Sequence, residues 1–174
     1  MKIFLVGFMG SGKSTLGKKL AELMNVSFID LDEKIESGEG KTINEIFSLR
    51  GEESFRKAEA EMLRKTKRNA DAVIATGGGA PCFYDNMKWM NENGLTIYLE
   101  AAPGELYHRL LKERHTRPLL ASLGDIALFD FIKSSLAHRE PYYAQAALKF
   151  TLKAATPASM LTRIKEAKKR SKKS

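Results

Sequence analysis

The sequence predicts an α/β protein in which helices cover both faces of a parallel sheet. Three observations predict it. Several short runs are near-continuously apolar rather than alternating, the mark of strands buried on both sides. Segments with apolar residues at helical spacing stand between those runs. The first run ends in a glycine-rich turn that opens a helix, the strand–loop–helix order of a phosphate-binding unit.

The elements follow in order. KIFLV (2–6) is the first strand, and KSTLGKKLAELM (13–24) the first helix. SFID (27–30) is the second strand, followed by a helix in GEESFRKAEAEMLRKT (51–66). AVIAT (72–76) is the third strand, and YDNMKWMNEN (84–93) a helix whose Trp89 and methionines form a core face. LTIYLE (95–100), the helix GELYHRLLKER (104–114) and LKFTL (148–152) complete the set. Crossovers between parallel strands are expected to be right-handed. A length of 174 residues predicts one domain, and there is no internal repeat or low-complexity linker.

Composition excludes several classes. A hydrophobic fraction of 43% supplies a core. The single Cys82 excludes an internal disulfide framework and fits a reducing compartment. His108, His115 and His138 show no metal-ligand spacing with Cys82. No apolar run approaches the roughly 18 residues of a membrane span. IFLVGFMG runs straight into SGKST without a small-residue cleavage site, so it reads as a buried strand in a cytoplasmic protein. Of the net charge of +8, the tail 163–174 carries +6, with seven basic residues and one acidic. Such a run reads as a solvated helix end, and with no interleaved aromatic residues nucleic acid is not an expected partner.

Gly7 to Ser14, GFMGSGKS, fits G-x-x-x-x-G-K-[ST]. Glycines permit positive φ and bring no Cβ, so successive N–H groups converge on an anion at the start of a helix. Lys13 is placed to reach the β- and γ-phosphates, and Ser14 to put its hydroxyl on Mg²⁺.

The acceptor side is less explicit. Asp30 and Asp32 lie two apart at the end of the second strand, on one face if the strand continues. One could hold Mg²⁺ through water and the other orient a hydroxyl; alternatively Asp32 caps the helix EKIE. TGGGAP (76–81) either admits a ligand to the backbone or makes a tight connection. Arg56, three residues before Glu59, is either a surface ion pair or a guanidinium held for a ligand carboxylate. Arg139 stands near a helix end set by Pro141. KERHTRPLL (112–120) is either an exposed basic loop or a cover carrying an arginine. Phe47 and Phe55 read as core.

Taken together, GFMGSGKST, DLD, FRKAE, TGGGA and RPLL come in the order and spacing of shikimate kinases, which the chain resembles over most of residues 2–150. That resemblance implies a five-stranded parallel sheet of order 2-3-1-4-5 in a three-layer α/β/α P-loop kinase. It implies an acceptor-binding subdomain at 32–61, a lid at 112–124 and a basic tail at 163–174. It implies transfer of the γ-phosphate of ATP to the 3-hydroxyl of shikimate. The implied ATP contacts are Gly10, Ser11, Gly12, Lys13, Ser14 and Thr15, with the lid arginine Arg117 on the phosphates and Arg114 beside adenine. Ala155 to Pro157 is the implied adenine-side loop. Asp32, Arg56, Arg139 and the glycines Gly77, Gly78 and Gly79 are the implied shikimate contacts, Asp32 also serving as base. Ser14 and Asp30 are the implied Mg²⁺ residues. Lys13, Asp32 and Arg117 would carry catalysis, in a monomer that needs no obligate protein partner. Two rivals stand beside this reading. One is a gluconate or nucleoside monophosphate kinase on the same fold; the other is a non-catalytic nucleotide- or nucleic-acid-binding relative.

Overall fold

A computed structural model describes residues 1–113, 120 and 123–171. Five parallel strands form one sheet: β1 (Lys2–Val6), β2 (Ser27–Asp30), β3 (Ala72–Ala75), β4 (Leu95–Glu100) and β5 (Leu148–Thr151). Their spatial order is β2-β3-β1-β4-β5. Phe4 pairs with Ile74 on one side of the central strand, and Leu5 with Ile97 on the other. The helices are α1 (Lys13–Met24), α2 (Leu31–Glu39), α3 (Ile43–Lys65), α4 (Asn86–Asn93), α5 (Pro103–Glu113), α6 (Asp125–Tyr143) and α7 (Pro157–Ser171).

Period-2 alternation along β1 divides the core between the two faces. Phe4 and Val6 pack with Leu106, Leu110, Leu128 and Ile132, from α5 and α6. Ile3 and Leu5 pack with Leu20 of α1 and with Met160 and Ile164 of α7. All four strand residues are fully buried, so each contributes about 1.5–3 kcal/mol. The edge strands β2 and β5 are each buried at a single residue, Ile29 and Phe150. A third cluster, Ile35, Ile46 and Phe55, joins α2 to α3.

Several boundaries differ from the sequence reading, each for a local reason. The helix expected from residue 51 begins at Ile43, where Thr42 and Glu45 form a reciprocal capping box. Gly51, at φ 76° and ψ 172°, then breaks its path, which is why only the second half showed helical spacing. β2 stops at Asp30 instead of continuing through Asp32, because the Asp30 carboxylate accepts the Asp32 N–H and caps α2. Asp30, not Asp32, is therefore the cap, and the two carboxylates do not share a strand face. α6 passes through Pro141 and ends at Tyr143. A proline in the last turn forfeits one hydrogen bond without stopping the helix. The basic tail as far as residue 171 belongs to α7, which buries Met160 and Ile164 while its charged residues up to Arg170 face outward.

Candidate active site

At the carboxyl edge of the sheet, where open parallel sheets place their ligands, β1, β2 and β3 all end beside one cleft of about 580 Å³. Gly10, Gly12, Lys13, Ser14 and Thr15 line it from the loop and α1, Asp30 and Asp32 from β2 and α2, and Thr76 and Gly78 from the end of β3. Leu152 and Ala155 reach it from beyond β5, so part of the expected adenine-side loop is at the cleft.

The loop after β1 is built from backbone. Gly12 caps α1 at φ 82°, a left-handed conformation that favours glycine, with no side-chain cap to occupy the first N–H groups. Those groups and the positive end of a twelve-residue helix make an anion seat. Lys13 is nearly buried, and its Nζ donates to the carbonyls of Gly7 at 2.8 Å and Phe8 at 2.9 Å. The ammonium is thereby tethered to the loop it completes. Ser11 is fully buried; its N–H donates to the Phe8 carbonyl and its side chain points toward Gly7, so it shapes the loop and does not line the cleft.

The Ser14 hydroxyl donates to Asp30 Oδ2 at 2.6 Å. A hydroxyl and a carboxylate are hard oxygen donors, and a cation such as Mg²⁺ that keeps waters and phosphate oxygens needs few protein ligands. The pair fits that ion. Among the described residues no cluster of three or more His, Cys, Asp or Glu could form an all-protein metal cage.

Behind the loop lies a knot of charge. Asp32 is half-buried with its Oδ1 enclosed, and its carboxyl is pushed above the usual carboxylate range, first by burial and then by the Asp30 charge. Lys13 and Arg56 act on it in the opposite direction. Asp32 lines the cleft with Lys13, and its Oδ1 stands with Glu59 Oε1 around Gly77. Glu59 is fully buried and accepts from Arg56 Nη1 at 2.9 Å. Burial lifts Glu59 to about 7 despite the Arg56 charge. Arg56 is only 11% exposed and therefore no surface residue. The rings of Phe83, Phe55 and Phe47 stand 4.6, 5.1 and 5.8 Å from its guanidinium. Phe47 and Phe55 thus pack on Arg56 as well as on the apolar cluster. Arg139, half-buried in α6, lies over the Phe8 ring at 5.2 Å and beside Gly78.

The three glycines make this knot possible. A Cβ on Gly79 would come within 2.6 and 2.7 Å of the two terminal nitrogens of Arg56, and one on Gly77 within 2.3 Å of Glu59 Oε1. The run admits the protein's own charged side chains against its backbone. Tyr143, at the end of α6, donates its hydroxyl to the Gly78 carbonyl and fixes the turn from outside.

The structure thus gathers Lys13, Ser14, Thr15, Asp30, Asp32, Arg56, Gly77, Gly78, Gly79 and Arg139 at one sheet edge. Arg114 and Arg117 lie outside the described residues. Sequence reasoning missed Arg109, whose Nη1 donates to the Gly10 carbonyl at 3.2 Å. It is exposed on α5, where a lone arginine among other charged helix residues carries no motif. Tyr143 was also missed, since an aromatic residue after proline carries no motif.

Comparison with known proteins agrees with this fold. The family model for shikimate kinase matches residues 9–169. The shikimate kinase of Parabacteroides distasonis is 48% identical over 149 residues, covering 86% of each chain. A crystal structure of shikimate kinase from Bacteroides thetaiotaomicron superposes with a TM-score of 0.90 at 43% identity, covering 97% of this chain and 98% of that one. Shikimate kinase from Acinetobacter baumannii, solved in complex with shikimate, gives 0.85 at 31% identity, covering 98% and 94%.

Proposed function

Because this chain belongs to the shikimate kinase family, we propose that its cleft transfers the γ-phosphoryl group of ATP to the 3-hydroxyl of shikimate, a step toward chorismate and the aromatic amino acids. One observation carries the reading: Asp32 lines the cleft with Lys13 of the phosphate loop, and its Oδ1 stands around Gly77 with Glu59, the partner of Arg56. A phosphate seat, a base and a carboxylate-binding cation thus occur in sequence across one edge.

In this reading Arg56 and Arg139 hold the acceptor's carboxylate, and the backbone at Gly77, Gly78 and Gly79 lets the ring approach. The acceptor oxygen then faces Asp32. As that oxygen bonds to the γ-phosphorus, its proton passes to Asp32 and the bond to the β–γ bridging oxygen breaks, leaving ADP. A raised carboxyl is the better base, because its affinity for the proton is higher. Lys13 offsets charge on the transferring group, with Arg117 from the 112–124 lid, while Arg114 and Arg109 attend the nucleotide. Gly10, Ser11, Gly12, Ser14 and Thr15 form the remaining ATP cradle, and residues 32–61 the acceptor-binding part. Mg²⁺ on Ser14 and Asp30 would neutralise phosphate charge. The reading includes a monomeric, cytoplasmic enzyme without an obligate protein partner.

An ADP-release assay with MgATP across shikimate, gluconate and nucleoside monophosphates tests it. Shikimate-dependent turnover far above the others is expected. Turnover no greater with shikimate than without it would refute the proposal.

A further inference from the structure

The Arg56 guanidinium meets two carboxylates of opposite character. Nη1 donates to Glu59, which is fully buried. Nε and Nη2 both donate to one oxygen of Glu52, at 3.2 and 3.1 Å, and the Glu52 side chain is 59% exposed. The Nη1/Nη2 end abuts Gly79, where a Cβ would lie 2.6–2.7 Å from both nitrogens, and aromatic rings stand around the guanidinium. The edge formed by Nε and Nη2 is thus the one that the buried Glu59 does not engage, with Nη2 also set against Gly79. It is also one of the two edges of a guanidinium that match a carboxylate with parallel hydrogen bonds.

We infer that Glu52 is a built-in stand-in for the acceptor's carboxylate: it occupies the Nε/Nη2 edge of Arg56 and is displaced when the acid binds, which sets affinity and selectivity for the acceptor. This rests on the proposed acceptor-binding role of Arg56. Three features support displacement over permanent pairing. Glu52 engages the fork with a single oxygen, whereas a ligand carboxylate can use two. It is exposed, so water solvates it once it leaves. It directly follows Gly51, the φ 76° break in α3, where there is open space around the backbone. Glu59, by contrast, has no solvent to move into and remains the fixed anchor. The cation keeps a partner throughout, so a buried guanidinium is never left uncompensated.

The competition has a measurable sign. An exposed i,i+4 ion pair is weak, so its removal should lower KM for shikimate by roughly two- to fivefold. Glu52→Ala and Glu52→Gln should both do so, with kcat and the KM for ATP unchanged. The neutral carboxamide of shikimate should gain nothing, so selectivity for the acid widens. A residue that merely props Arg56 in place would move KM the other way when truncated. An unchanged or raised KM for shikimate in both variants, with wild-type turnover intact, would overturn the inference alone. Absence of shikimate-dependent turnover in the wild type would instead overturn the functional reading and this inference with it.

Discussion

The phosphate loop and the proposed acceptor pocket share one edge of the sheet but are made in opposite ways. The loop is contiguous: residues 7–15 supply backbone N–H groups, one tethered ammonium and one hydroxyl. The proposed acceptor pocket is assembled from four separate stretches, with Asp32 on α2, Arg56 and Glu59 on α3, the glycines after β3 and Arg139 on α6. A backbone site is set by local conformation, whereas a side-chain site is set by packing among distant elements. The first tolerates change outside its short stretch. The second depends on who its neighbours are.

The sharpest test of that contrast is Lys13→Ala. It removes one charge from a site whose amide cradle survives. Turnover should fall about 10³-fold or more while the chain stays folded, since the loop backbone is anchored by β1 and α1. Steady-state kinetics with far-UV circular dichroism checks both halves. Normal turnover would end the role of Lys13, and an unfolded variant would mean the ammonium holds the loop together.

The acceptor side should break through a change that introduces no charge at all. Gly79 has φ −90°, a conformation alanine adopts freely, so Gly79→Ala costs only space. That space belongs to the terminal nitrogens of Arg56. Displacing a binding group by about an ångström costs roughly 10²-fold, and the loss should fall on kcat/KM for shikimate, with ATP affinity intact. A parallel loss in ATP affinity would show that the two halves are not independent.

The same division decided what the sequence could disclose. The loop was readable because its chemistry is local, and the strands because burial on both faces leaves runs such as IFLV and AVIA. In the pocket, each residue alone looked ordinary. Arg56 with Glu59 could pass for a surface pair, and nothing near residue 59 announces complete burial. Only the resemblance joined them to Gly78 and Arg139. Pro141 misled in the simplest way, as its usual meaning is a helix stop and α6 absorbs it in the last turn. Arg109 and Tyr143 carry no pattern of their own, and their roles exist only once α5 and α6 are packed against the loop and the glycines.

Glu59 turns the contrast into a pH dependence. Its carboxyl is raised from 4.5 to about 7, chiefly by burial. Between those values the native chain holds a proton that the unfolded chain has released, so stability is greatest below pH 4.5 from this group and falls as pH rises through 7. The loss is on the order of 3 kcal/mol. Asp32 tilts the same way, so Glu59→Gln should reduce the slope without abolishing it. Urea melts at several pH values would show this, and identical slopes in the two proteins would remove Glu59 as the cause. Ser14→Ala changes the phosphate loop and leaves Glu59 in place, so it should keep the wild-type slope.

The smallest effect is the most specific to a pocket built from side chains. Arg56→Lys keeps the positive charge, so Glu59 retains a partner and stability should barely change. What is lost is the planar fork that can hold a carboxylate with two parallel bonds and stack against Phe83. KM for shikimate should rise about tenfold, close to the worth of one charge-assisted hydrogen bond, with kcat and the KM for ATP near wild type. A matched fall in kcat would mean that Arg56 also sets the acceptor oxygen against Asp32, and that carboxylate binding and in-line positioning are one event. An unchanged KM would mean that charge alone suffices, and that the acceptor side, like the phosphate side, reads its ligand through simple electrostatics.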